Sequence, residues 1–327
     1  MFGRGLFAGA QPVRGARFER GRSTQRIEGI TNSMSEQGIS GGKLLRIASY
    51  ASVVTALVLI VAKLVAWLMT GSMSILASLV DSLMDSIASL INLLAIRYSL
   101  QPADAEHRFG HGKAEPLAGL AQAAFICGSA GFLIVHAFDR LRHPYTLQAV
   151  EVGVAVMVFA IVVTLALLLF QRYVIAQTGS TAIRADALHY ASDLLSNLAI
   201  IVALLMAPLG WPWVDPLFAI GVACYIGFHA ARVGYDAVQQ LLDRELPQAM
   251  QRQILDIAGA PTEVRGVHDL RTRQSGQVIF IQLHLELDDD LPLSQAHAIG
   301  ERVEAGICQA LPTAQVIVHQ DPVSQVG

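Results

Sequence analysis

Ser74-Ile75-Leu76-Ala77-Ser78-Leu79-Val80-Asp81-Ser82-Leu83-Met84-Asp85-Ser86 is the stretch that decides the fold. It lies inside an apolar run of helical length. It nevertheless carries two carboxylates four residues apart, which share one helix face. A second run repeats the device: Arg184-Ala185-Asp186-Ala187-Leu188-His189-Tyr190-Ala191-Ser192-Asp193 sets His189 four residues before Asp193. An aspartate at the centre of a spanning helix costs about 2.5–3.5 kcal/mol on insertion scales, so three cost on the order of 8–10 kcal/mol without a partner. Two such pairs on facing helices offset that cost if they surround one divalent ion. Asp81, Asp85, His189 and Asp193 supply one imidazole and three carboxylates, a tetrahedral set that zinc accepts and that harder ions accept in part. The alternatives are protonated acids bonded to Ser or Thr across a bundle, or acids at the water interface. Asp186 reads as nearer the interface, in support of the site. Lys63, in the preceding apolar run, either snorkels to the surface or pairs with an acid.

Working outward, the composition agrees with a membrane setting. Of 327 residues, 53% are hydrophobic and 15% charged, against about 25% charged in soluble domains; the mean hydropathy is +0.48. A polytopic membrane protein with a soluble part fits. The net charge of −3 leaves no basic field for nucleic acid. Cys127, Cys224 and Cys308 lie too far apart in sequence to suggest a disulfide framework or a thiolate zinc site. Six runs are long enough to span a bilayer: about 45–69, 75–99, 117–138, 148–171, 182–208 and 214–238. The second and fifth are the least apolar, because they hold the acids. Seven Lys/Arg (Lys43, Arg46, Arg97, Arg108, Lys113, Arg172, Arg184) fall on one side of these spans and two (Arg140, Arg142) on the other. That bias predicts cytoplasmic termini.

Residues 1–40, with Arg4, Arg14, Arg17, Arg20, Arg22 and Arg26 among Gly, Ser and Gln, read as a disordered extension. Residues 41–243 form the membrane domain. Residues 244–327 change character: a helical pattern over Glu245–Ala258, strands over Val267–Arg273 and Val278–Leu287 around Gln274-Ser275-Gly276, a helix over Leu293–Ala310 and a strand over Gln315–His319. Alternation assigns Ile279, Ile281, Leu283, Leu285 and Leu287 to the core and His284 to the polar face. His268, His284, His297, His319 and Asp321 within this small αββαβ domain are candidates for a binuclear site, with Asp321 bridging. The connection between the second and third spans holds Asp104, His107 and His111, which converge if it turns helically; Gly110 and Gly112 favour a looser path.

Together with the opening stretch, RYSLQPADAEHRFGHGKAE (97–115), IRADALHYASDLL (183–195), LLDRELP (241–247), GVHDLRTRQSG (266–276) and VIVHQDP (316–322) resemble the cation diffusion facilitator family, from about Lys43 to Pro322. The resemblance implies a homodimer in the bacterial inner membrane, with six transmembrane helices and a cytoplasmic αββαβ metallochaperone-like domain. It implies export of divalent metal ions, zinc foremost with cadmium and ferrous iron possible, in exchange for protons and with no organic cofactor. By resemblance, Asp81, Asp85, His189 and Asp193 match the transport site, and Asp104, His107 and His111 a loop site. His268, His284, His297, His319 and Asp321 match the tail cluster, and Lys113 and Asp243 an ion pair near the dimer interface. The absence of a Walker A pattern leaves a gradient as the energy source. A membrane-anchored metal sensor that transports nothing is the runner-up reading. An intramembrane aspartyl protease would need a GxGD-like loop, and the sequence has none.

Overall fold

A computed structural model of the chain describes residues 21–71, 73–142, 151–206 and 214–325. Six long helices come first: α1 (Gly21–Thr70), α2 (Met73–Ser99), α3 (Ala114–Arg142), α4 (Glu151–Thr178), α5 (Thr181–Met206) and α6 (Val214–Leu241). The C-terminal unit follows as α7 (Gln248–Ala258), β1 (Gly266–Ser275), β2 (Val278–Leu287), α8 (Leu293–Ala310) and β3 (Ala314–Pro322). Residues 21–40, expected to be disordered, are instead the first turns of α1. They continue a spanning helix, and elongating an existing helix avoids the nucleation cost that an isolated arm would face. Residues 1–20 lie outside the described part.

Among the described residues, five helices are long and apolar enough to cross a membrane, and α5 is not among them. The reason is its first half, which carries Arg184, Asp186 and Asp193. That half is mostly buried by α3, α4 and α6 rather than bared to lipid, so it needs internal partners instead of apolarity. Leu57, Leu90, Leu94, Phe132, Val162 and Phe228 point outward from the other helices, as lipid-facing residues must. Lipid gives helices no hydrophobic drive to associate, so close packing of small residues does the work. The α3–α6 pair, the most extensive contact in the fold, shows this. A Cβ on Gly234 would stand 3.4 Å from the Ala123 methyl, and one on Gly227 3.5 Å from that of Ala130.

The start of α5 is pinned from three sides. Gly179, in the left-handed region (φ 63°), ends α4 as glycine does at a helix C-terminus. The Ser180 hydroxyl accepts the Ile183 N–H at 3.1 Å as an N-cap. Glu115 of α3 accepts the Thr181 N–H at 3.1 Å, and the Thr181 hydroxyl donates to Gln240 of α6 at 2.9 Å. These contacts set the rotation of α5, and so where His189 and Asp193 point.

In the C-terminal unit the strand order is β1-β2-β3, with β1–β2 antiparallel and β2–β3 parallel. The assigned core face is buried: Ile281, Leu283 and Leu285 pack with Ile254, Val303 and Ile307 of α7 and α8. α7 begins at Gln248, not Glu245. Pro247 disfavours helix at the residue before it, and the freed Glu245 carboxylate instead accepts the Thr272 N–H at 2.9 Å and the Thr272 hydroxyl.

The β1–β2 turn touches the membrane domain. A Cβ on Gly112 would collide with the Ser275 carbonyl, and Gly276 (φ 58°) lies against Gly112 from the other side. Gln277 donates to the Thr178 carbonyl at the end of α4, 3.2 Å away. Gly112→Ala is therefore expected to push the turn off the membrane domain. Distances between spin labels on the hairpin and on α4 should broaden and lengthen by a few ångströms, and an unchanged distribution would show the contact to be dispensable.

Candidate metal centres

Asp85, His189 and Asp193 come together between α2 and α5, their ligand atoms all within 4.8 Å of one another. The His189 Nε2 lies 3.1 Å from an Asp85 oxygen and 3.9 Å from one of Asp193. That nitrogen is buried and makes no hydrogen bond, so it stands near its neighbours without aiming at either. Three donor atoms around a common point, one of them otherwise orphaned, suit a cation at that point. Asp81 is not in the set and is exposed. One helical turn moves a side chain about 5.4 Å along the axis, so the turn that aims Asp85 at α5 leaves Asp81 short of it. Lys63 is partly buried and, among the described residues, forms no ion pair with an acid. Its ammonium donates to the Ser78 carbonyl at 3.1 Å and the Ser82 hydroxyl at 2.6 Å. It crosses from α1 onto the same face of α2 because those helices pack side by side.

Asp186 is fully buried. Its carboxylate accepts the Ser52 hydroxyl at 2.6 Å, Gln171 Nε2 at 2.7 Å and Gln122 Nε2 at 3.3 Å. The Tyr190 hydroxyl closes the group by donating to the Ser52 carbonyl at 2.9 Å. One acid thereby joins α1, α3, α4 and α5. Sequence reading missed its partners, although a signal existed: Ser52, Gln122 and Gln171 are polar residues inside apolar runs.

The α2–α3 connection gathers Asp104, His107 and His111 without becoming helical. Asp104 accepts the backbone N–H of His107 at 2.6 Å and of Glu106 at 2.9 Å. Those N–H groups hold its carboxyl below the usual carboxylate range. The His111 Nε2 is 3.3 Å from Asp104; the ring is buried and its Nδ1 lacks a partner. The loop leans on the C-terminal unit through Phe109, whose ring meets Phe280 edge-on, with Arg273 over both. Lys113 pairs with Asp243 at 3.0 Å within one chain.

In the C-terminal unit, register decides the third cluster. His268 pairs with His284 and His284 with His319, so three histidines form a row across the sheet. Asp321 engages all three: one carboxylate oxygen lies 2.7 Å from His284 Nδ1 and 3.4 Å from His268 Nε2, the other 3.1 Å from His319 Nε2. The hydrogen bond from His284, with the neighbouring histidine charges, holds the Asp321 carboxyl below its usual range. With both oxygens engaged, it has the form of a bridging ligand. His297 does not join. It sits exposed on α8 beside Glu301, and α8 covers the opposite, apolar face of the sheet. Glu286, 3.0 Å from His268 Nδ1, does join, and it could have been read from its position two residues after His284 on the same strand face.

Comparison with known proteins agrees with this architecture. The family model of the cation efflux transmembrane domain matches residues 49–242, and that of the cation efflux protein cytoplasmic domain, a model labelled ZT_dimer, matches residues 246–323. A cation-efflux pump FieF of Klebsiella pneumoniae is 54% identical over 287 residues, covering 88% of this chain and 96% of that protein. One from Shewanella oneidensis is 52% identical over 279 residues, covering 85% and 94%. Among solved structures, the nickel form of a MamM CTD variant is 31% identical, covers 23% of this chain and 98% of its own, and has a TM-score of 0.23.

Proposed function

This chain belongs to the cation efflux family of membrane transporters, and we propose that it exports a divalent metal ion, zinc before cadmium or ferrous iron, in exchange for protons. It is a transporter and not an enzyme. One observation carries the ion assignment: Asp85, His189 and Asp193 converge inside apolar helices with the His189 Nε2 buried and unbonded. One nitrogen among carboxylate oxygens favours zinc or cadmium over manganese, which prefers oxygen alone. Asp81, one turn along α2, is the candidate fourth donor.

The coupling follows from the ligands themselves. Carboxylates and imidazole bind a metal ion only without their protons, so loading sheds protons and release takes them up. His189, the one imidazole in the set, is among the groups that would carry a displaced proton. The Lys/Arg bias supports a cytoplasmic C-terminal unit, whose His268–His284–His319–Asp321 cluster would sense metal on the supply side. Dimer formation, which the name of the second family model suggests, and residence in the bacterial inner membrane complete the reading.

Proteoliposomes test it. Zinc added outside should enter the lumen and drive protons out, so that a lumenal dye reports alkalinisation. Zinc entry with no change in lumenal pH, at any imposed gradient, would refute proton exchange while leaving metal transport standing.

A further inference from the structure

α4, α5 and α6 enclose a groove of about 1030 Å³ on the side of α5 away from the metal cluster. Small residues create it: Ala187 and Ala191 on α5 and Gly221 on α6 leave its floor and wall bare, and a Cβ on Gly221 would meet nothing within 4 Å. Larger apolar side chains, such as the exposed Leu169 and Phe218, form its rims. Its charged groups lie at the end nearer the C-terminal unit. Arg172 stands six residues before the end of α4, Arg184 three after the start of α5, and Arg232 nine before the end of α6. At 1.5 Å per residue they lie about 5–14 Å inside the helix ends, where the hydrocarbon core gives way to headgroups.

Arg184 pairs with Asp236 at 2.8 Å, yet its Nε is buried without a hydrogen-bond partner. Arg172 and Arg232 are exposed and, among the described residues, have no partner. Three arginines against one aspartate leave the head of an otherwise apolar groove cationic. From Phe218 to Arg232 the α6 wall runs about 21 Å, more than the ~15 Å of hydrocarbon in one leaflet. Basic pockets between transmembrane helices recognise anionic lipid headgroups.

We propose that this groove binds an anionic phospholipid of the leaflet on the C-terminal-unit side. Its phosphate lies among Arg172, Arg184 and Arg232, and an acyl chain runs along α5 towards Phe218. His189 and Asp193 each follow a groove-floor alanine by two residues, about 200° around the helix. Lipid and metal ion therefore press on opposite faces of α5.

Native mass spectrometry of the purified full chain tests this, with phosphatidylglycerol and phosphatidylethanolamine of matched acyl chains as probes. Phosphatidylglycerol should be retained in preference. The double variant Arg172→Gln/Arg232→Gln, which leaves the Arg184–Asp236 pair intact, should weaken that retention about thirty-fold, at roughly fivefold per cation near an anionic surface. Gly221→Trp, which fills the groove and keeps every arginine, should abolish it. Equal retention of both lipids, or phosphatidylglycerol held unchanged by either variant, overturns the proposal. So does conversion of a dimer mass to a monomer by Gly221→Trp, which would make a second copy the occupant.

Discussion

Asp85→Ala is expected to lower metal uptake into proteoliposomes by more than about 100-fold. Outer partners of metal ligands already cost roughly 10–100-fold in affinity or activity when removed, and Asp85 lies within the ligand set itself. Its oxygen is 3.1 Å from the His189 Nε2, so alanine leaves one imidazole and one carboxylate from the three groups that converge. Two donors do not hold a tetrahedral ion against its hydration shell. The fold should survive, because Asp85 is only partly buried and makes no hydrogen bond that ties helices together among the described residues. Gel filtration and helical circular dichroism check survival, and zinc flux checks function. Flux within tenfold of the parent protein would show that the ion crosses elsewhere.

Asp186→Ala is expected to do the reverse, damaging the fold before the chemistry. Three donors on three other helices, Ser52, Gln122 and Gln171, end at this one carboxylate. Single interhelical hydrogen bonds in membranes average only about 0.6 kcal/mol. A buried donor left unsatisfied costs about 1–3 kcal/mol, and alanine strands up to three of them. A loss of about 2–5 kcal/mol follows, a large fraction of typical protein stability. Asp186→Asn keeps one acceptor oxygen and should lose less. Thermal unfolding in detergent, followed by tryptophan fluorescence, reads the difference. If the alanine variant melts with the parent, the network is an ornament of packing and not a support for α5.

The tail domain shows how far a strand pattern carries. Alternation along β2 separates Ile281, Leu283 and Leu285 from His284, and the structure buries the first three. The same alternation does not say that His268 and His319 stand beside His284. That depends on register, which the β-bulge between His268 and Arg271 also shifts. His297 fails for the same reason: a helix period gives its face on α8, not the side of the sheet on which α8 lies.

By itself, the sequence determined what is local. Apolar runs of bilayer length, the period of two in β2, and the i,i+4 pairs in α2 and α5 all rest on residues within a few positions of each other. Tertiary structure alone decided which of these groups meet. It brought Asp85 but not Asp81 to His189, buried Asp186 among donors 15 to 134 residues away in sequence, and opened a groove behind α5. The physical reason is rotational. Transfer free energy says that a helix enters the membrane, whereas its rotation about its own axis is set by caps, small-residue contacts and cross-helix hydrogen bonds made with distant parts of the chain.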